Sequence, residues 1–174
     1  MKFLVDRMLG NLTSWLRILG YDTVSANSFV GMSNPAEDTF MLKLSGLEGR
    51  ALLTRDMALH YRASQKYRIP SLLIEGGDVL HQLNQVRHEF GLIFPEQPDA
   101  VRCTICNGCL YQAGIHEVLQ SSEIAKLRTK GVDIRAFIKR HANYLKCDHC
   151  GKLFWQGQHW RNMLQMTRHL SKVD

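Results

Sequence analysis

Along the first 95 residues, short apolar runs alternate with longer stretches in which apolar residues recur at steps of three and four. The run "KFLV" (2–5) predicts a buried strand that ends at Asp6. Met8, Leu9, Leu12, Trp15, Leu16 and Leu19 then mark one face of an amphipathic helix. Gly20 follows where a left-handed C-cap is common. "YDTVSA" (21–26) predicts a second strand. Asn34-Pro35 opens another helix, with Phe40, Met41, Leu44 and Leu47 on one side and Gly49 at its end. "RALLT" (50–54) predicts the third strand, residues 57–67 a further helix, and "IPSLLIE" (69–75) the fourth strand. After Gly76-Gly77-Asp78, another helix carries Val79, Leu80, Leu83, Val86 and Phe90 on its apolar side.

Strand alternating with helix, and strands apolar throughout rather than at every second position, predict a parallel sheet covered on both faces. Residues 1–95 therefore read as an α/β domain. In such sheets ligands sit outside the carboxyl ends of the strands. Asp6 ends the first strand and Asp56 follows the third. Glu37 and Asp38 fall in the first turn of the helix behind Pro35, which a right-handed crossover brings to the same edge. Asp78 follows the fourth strand by two glycines. Each acid has a structural alternative: Asp6 and Asp78 suit a helix N-cap, and Asp38 suits the positive end of a helix. Together they repel unless a cation screens them. Oxygen-only ligands favour Mg²⁺ or Mn²⁺, and no cysteine accompanies them to favour zinc.

Charge divides the 174-residue chain unevenly. Residues 1–100 carry 10 Lys+Arg against 11 Asp+Glu, whereas residues 101–174 carry 12 against 5, a net of +7. A basic second part suggests a polyanion-binding module, with a merely solvated basic face as the alternative. No apolar run approaches the roughly 18–20 residues that cross a bilayer, and "MKFLVDRML" is no secretory signal. The expectation is a cytoplasmic protein with no membrane partner.

All five cysteines lie in the second part. "RCTICNGC" (102–109) and "KCDHCGKLFW" (146–155) hold two C-x-x-C knuckles, Cys103/Cys106 and Cys147/Cys150. Two such turns complete a tetrahedral site, which predicts a structural zinc ribbon. Cys109 extends the first knuckle to C-x-x-C-x-x-C, a spacing also used by iron–sulfur clusters, but position 113 is alanine and no fourth cysteine follows nearby. His149, inside the second knuckle, reads as a loop residue. Four thiolates and Zn²⁺ would leave the module at about +5.

Between the knuckles, Lys126, Arg128, Lys130, Arg135, Lys139, Arg140, His141 and Lys146 interleave with Phe137 and Tyr144. That pattern fits phosphate contacts with base-stacking rings, or equally a solvated face over core aromatics. The tail predicts a helix with Trp160, Met163, Leu164, Thr167 and Leu170 on one stripe, packed on the ribbon or on the α/β domain. His159 suits a phosphate contact, a proton transfer or a structural hydrogen bond, and Arg161 lies beside it.

These stretches together resemble the Mut-seven C-terminal RNase family, a PIN-like nuclease domain followed by a zinc ribbon. The matching segments are "KFLVDRMLGNLTSWLRILGYDT" (2–23), "GRALLTRD" (49–56), "RCTICNG" (102–108) and "CDHCGKLFWQGQHWRNM" (147–163). The resemblance implies a PIN-like fold and metal-dependent cleavage of RNA. Asp6 and Asp56 match the family's "VD" and "TRD" acids, and Asp38, with Glu37 beside it, falls at the acidic position before the "GR" strand. Arg17 and Arg55 match as well. Many PIN nucleases carry a further acid within a turn of the "TRD" motif, where this chain has "MALHY". Asp78 is the candidate substitute.

The expected organisation is a PIN-like nuclease domain over 1–95 and a zinc-ribbon module over 100–174. Asp6, Asp38 and Asp56 are the expected catalytic residues on Mg²⁺ or Mn²⁺, with Glu37 and Asp78 as further ligands, and Zn²⁺ sits on Cys103, Cys106, Cys147 and Cys150. Arg17, Arg55, Lys139, Arg140, Lys146, His159 and Arg161 are the expected nucleic-acid contacts. The alternative is a non-catalytic zinc-ribbon binding protein with a degenerate site. A phosphoacceptor of the receiver type wants a lysine where "LLIEGGD" has Glu75, and a haloacid dehalogenase wants D-x-D where "VDRM" has none.

Overall fold

The computed structural model describes residues 1–32, 35–98 and 101–170. Asn34 and residue 100, where a helix start and a domain limit were expected, lie outside the described residues, as do residues 171–174.

Four strands, β1 (Lys2–Val5), β2 (Asp22–Ser25), β3 (Ala51–Thr54) and β4 (Ser71–Leu73), form one parallel sheet in the order β2-β1-β3-β4. Leu4 pairs with Val24 on one side and Leu52 on the other, and Leu53 pairs with Leu72. The alternate side chains feed two cores. Phe3, Val5 and Leu53 meet Leu12 and Leu16 of α1 (Gly10–Ile18) and Leu83 and Val86 of α4 (Val79–Phe90). Leu4 and Leu52 meet Met41 and Leu42 of α2 (Ala36–Glu48) and Leu59 of α3 (Met57–Tyr61). Burial on both faces explains why Phe3–Val5 and Ala51–Leu53, in the two central strands, are apolar without a break, whereas the edge strand β2 reads DTVS; each buried apolar side chain contributes about 1.5–3 kcal/mol.

The helix ends follow local chemistry. Gly20 and Gly49 take positive φ, 88° and 63°, at the helix exits where the sequence places them. A short 3₁₀ turn, Arg7–Leu9, precedes α1, and a wide turn of π type, Arg62–Lys66, extends α3. The face of α2 differs from the expected one. Met41, Leu42 and Ser45 are buried, Phe40 sits at the surface, and Leu47 is 85% exposed. Apolar residues ring this helix; Met41 and Leu42 dock in the core, and on the same helix Glu37 is buried against Arg7.

The second part is a three-stranded antiparallel sheet, β5 (Leu110–Gln112), β6 (Leu145–Cys147) and β7 (Leu153–Phe154), in that order. Three short helices, α5 (Ile115–Gln120), α6 (Ser122–Thr129) and α7 (Ile134–Arg140), fill the insertion between β5 and β6. Phe137 and Tyr144 belong to the small core there, with Val118, Ile124 and Leu153, so these two aromatics are packing groups. The final helix, α8 (Gln158–Leu170), returns to the parallel sheet as its stripe predicts. Leu170 is fully buried in the first core, the Thr167 hydroxyl donates to the carbonyl of Glu96 at 3.1 Å, and Arg87 donates to that of Leu170 at 3.0 Å. Among the described residues, no helix is long and apolar enough to cross a membrane.

Candidate metal centres and the seam between them

The crossover after β1 runs through α1 on one face to β2, and the next runs through α2 on the other face to β3. The chain thus changes direction between β1 and β3, and the carboxyl ends of these two strands are the usual ligand position of such sheets. Asp6 leaves β1 there, its amide donating to the carbonyl of Leu53 at 3.0 Å. Thr54, fully buried at the end of β3, donates its hydroxyl to Asp6 Oδ2 at 2.7 Å and accepts from the Asp56 amide at 3.0 Å.

Asp56 is the N-cap of α3, with Oδ1 accepting from the Leu59 amide at 3.0 Å. Asp38, in the first turn of α2, accepts from Arg62 through Oδ2 at 3.0 Å. Burial raises the Asp38 carboxyl above the usual range; Arg62 opposes that, and the charges of Asp56 and Asp6 reinforce it. The three acids therefore share one electrostatic field. Each has one oxygen anchored, and the second (Asp6 Oδ1, Asp38 Oδ1, Asp56 Oδ2) has no hydrogen bond among the described residues.

Three free carboxylate oxygens and no nitrogen or sulfur donor fit a hard divalent cation. The three do not converge on one point: among the described residues, only the cysteines form a group of three or more ligand atoms all within 4.8 Å of one another.

Two other expected ligands are engaged elsewhere. Glu37 is 5% exposed and accepts from the Arg7 guanidinium at 2.5–2.8 Å, while Arg7 also donates to the carbonyl of Phe29. Asp78 is the N-cap of α4, accepting from the His81 amide at 2.9 Å, and lies beyond β4, at the sheet edge away from β1. Arg55 is exposed beside Asp56 and makes no hydrogen bond or ion pair among the described residues.

The cysteine site is compact. Cys103 Sγ lies 3.7 Å from Cys150 Sγ, and Cys106 Sγ lies 3.4 Å from Cys147 Sγ. These separations are far too long for a disulfide. They are close to the edge of about 3.8 Å that a tetrahedron with Zn–S bonds of about 2.3 Å requires. Burial pushes the Cys103 thiol up to about 12, so a cation is needed to hold thiolates here. The Cys150 amide points at Cys147 Sγ at 3.5 Å, and Gly108 leaves the room, since a Cβ there would stand 2.8 Å from that sulfur. Cys109 is exposed and outside the group, which removes the iron–sulfur spacing as its explanation.

Between the two centres runs a seam that sequence reasoning missed. Arg17, expected at the nucleic acid, is buried; it donates to the carbonyls of Thr23, Thr104 and Ile105 at 2.8–3.0 Å. Asn107 takes a φ of 70° and bridges to β2, accepting from the Thr23 amide at 3.0 Å and donating to Asp22 at 2.8 Å. Asp22 is held in turn by Arg50 at 2.7 Å and Arg102 at 3.7 Å. The first cysteine knuckle is thereby fastened to the edge strand of the parallel sheet. A polar groove of about 500 Å³ lies over the seam, between Gly10 and Ser14 of α1, the turn after β2, and Thr104 to Asn107.

The Mut7-C RNAse domain family matches residues 1–167, nearly the whole described chain. The chain belongs to that family. Its name gives the Mut7-C chain a nuclease-like role, and the cysteine cluster gives it a site able to hold a metal such as zinc. No curated protein and no solved structure matches it significantly. Of the expected nucleic-acid contacts on its second part, Lys139 and Arg140 are exposed at the end of α7, and His159 and Arg161 are exposed on α8. Lys146 pairs with Glu117 at 3.3 Å. Thr54, Arg62 and Asn107 had no signal beyond their place beside an expected acid or cysteine.

Proposed function

We propose that this Mut7-C chain hydrolyses RNA phosphodiester bonds at the carboxyl ends of β1 and β3, with residues 1–95 as the nuclease part and a zinc ribbon from about residue 100 gripping the RNA. The observation that carries the reading is the arrangement of Asp6, Asp38 and Asp56, each with one oxygen fixed by the fold and one left free. Three acids from separate elements that share one electrostatic field at the carboxyl ends of the strands favour a cation there.

Asp6, Asp38 and Asp56 would hold Mg²⁺ or Mn²⁺, which supplies Lewis acidity toward the phosphate and lowers the pKa of water. Thr54 keeps Asp6 and the start of Asp56 in register, and Arg62 limits repulsion at Asp38. Arg55, exposed and without a hydrogen bond or ion pair among the described residues, would meet the phosphate charge. Lys139, Arg140, His159 and Arg161 supply cations to the backbone of the strand. Zinc on Cys103, Cys106, Cys147 and Cys150 holds the ribbon's turns together.

The test is cleavage of labelled single-stranded and hairpin RNAs by zinc-loaded protein in Mg²⁺, in Mn²⁺ and with neither, beside Asp56→Asn. Asparagine can still cap α3, so the fold is retained. Metal-dependent cleavage lost in Asp56→Asn with binding kept supports the nuclease. Binding without cleavage on every RNA and in both metals would replace it with a non-catalytic ribbon protein, a reading favoured by the absence of an acid in "MALHY".

A further inference from the structure

We infer that the pocket between the ribbon and α8 receives one unpaired base, so that the RNA this chain binds is single-stranded there; the inference rests on the RNA reading above. The pocket measures about 130 Å³ and has Phe154, Trp155, Trp160 and Met163 among its walls, with Arg102 and His159 also lining it. Both tryptophans are half-buried, so each keeps ring surface accessible.

Proteins that take single strands combine cations for the backbone with ring faces on which an unstacked base lies. The pocket supplies both. Arg102 is fixed by the carbonyl of Asn107 at 3.2 Å and by Asp22, so it needs little ordering on binding. His159 is exposed, and Arg161 next to Trp160 is free of partners among the described residues. An apolar peptide side chain would also fit the walls, but it does not account for the cations or for the net of +7 carried by residues 101–174.

The pocket adjoins the polar groove over the seam, with Thr104 lining both. The groove reaches Gly10, at the end of α1 near Asp6, and the pocket reaches Ile18, at the other end, about 12 Å away at 1.5 Å per residue. A strand lying along α1 can thus present a phosphate to the carboxylates while a base several ångströms on is held by the ribbon. The groove walls include serines, threonines and asparagines beside Val24 and Ile105, a mixed lining that suits a strand of any sequence.

The test reads binding, with full-length zinc-loaded Asp56→Asn as the non-cleaving background. Its probes are a short single-stranded RNA carrying 2-aminopurine and the same RNA fully paired. Tryptophan fluorescence should be quenched by the single strand and not by the duplex. Trp160→Ala should weaken single-strand binding about 5- to 150-fold and leave duplex binding and zinc content unchanged. Trp160→Phe should restore most of the loss, and the surface change His159→Ala, which does not threaten folding, should cost a few-fold. Equal single-strand affinity in wild type and His159→Ala together with no quenching would overturn the inference. So would equal quenching by the duplex, or a response to an apolar peptide but not to RNA. Cleavage by the wild-type protein with single-strand binding that does not depend on Trp160 would sink the pocket alone, whereas Trp160-dependent binding with no cleavage by the wild-type protein in either metal would sink the nuclease alone.

Discussion

The hydroxyl of Thr54 donates to the Asp6 carboxylate at 2.7 Å while receiving the backbone amide of Asp56 at 3.0 Å, so one buried side chain ties the residue after β1 to the residue that opens α3. Neither acid needs a neighbouring acid to hold it in place: Asp6 accepts from Thr54, and Asp56 accepts from the Leu59 amide.

Thr54→Val keeps the shape of the side chain and removes that link. Mn²⁺ affinity and metal-dependent cleavage should both fall about 10- to 100-fold, with Thr54→Ser close to wild type. Calorimetric Mn²⁺ titration checks it; unchanged affinity in the valine variant would mean that the hydroxyl serves only the fold.

The cysteine cluster should bind a single zinc ion per chain. Cys109→Ser should keep the metal, because its sulfur stands outside the group, whereas Cys106→Ser should lose it and melt at lower temperature. Native mass spectrometry reads both, and zinc loss in Cys109→Ser would show that the fifth thiol is a ligand after all.

Arg17→Met removes a buried guanidinium and leaves the carbonyls of Thr23, Thr104 and Ile105 without their donor. The loss should be about 3 kcal/mol, seen as a lower urea midpoint at unchanged slope. A midpoint equal to wild type would remove Arg17 from the seam.

The seam should also be acid-sensitive. Burial alone would raise the Asp22 carboxyl, but Arg50 and Asn107, helped by Arg102, hold it below its ordinary value. A carboxyl depressed in the fold adds stability above its unfolded value of about 3.9, and that stability disappears as pH falls through the folded value. Wild type should therefore lose stability below about pH 4 more steeply than Asp22→Asn, which lacks this group. Urea melts between acid and neutral pH make the comparison, and parallel curves would exclude Asp22 as a source.

The central strands could be read in the sequence because two-sided burial makes Phe3–Val5 and Ala51–Leu53 unbroken apolar runs. The zinc ligands could be read because thiolate geometry demands fixed spacing. The face of α2 was misread because apolar residues ring it; Met41 and Leu42 dock in the core, and on the same helix Glu37 is buried against Arg7, 30 residues away in sequence, a partnership no local pattern reveals. The role of Arg17 was missed for a related reason: its partners are backbone carbonyls 87 and 88 residues away, which leave no mark on local pattern. Asp78 and Asp56 both read as candidate ligands because an N-cap and a metal ligand want the same residue at the same place; Asp38's field links it to Asp56 and Asp6.

Leu170 fills a place in the core with Phe3 and Val5, far from it along the chain. The apolar floor of the parallel sheet is therefore complete only while α8 is docked, so the helix that leaves the ribbon also closes the part that precedes it. Fraying at the end of α8 would open the first core as well, which ties the cooperativity of the sheet to that of the ribbon.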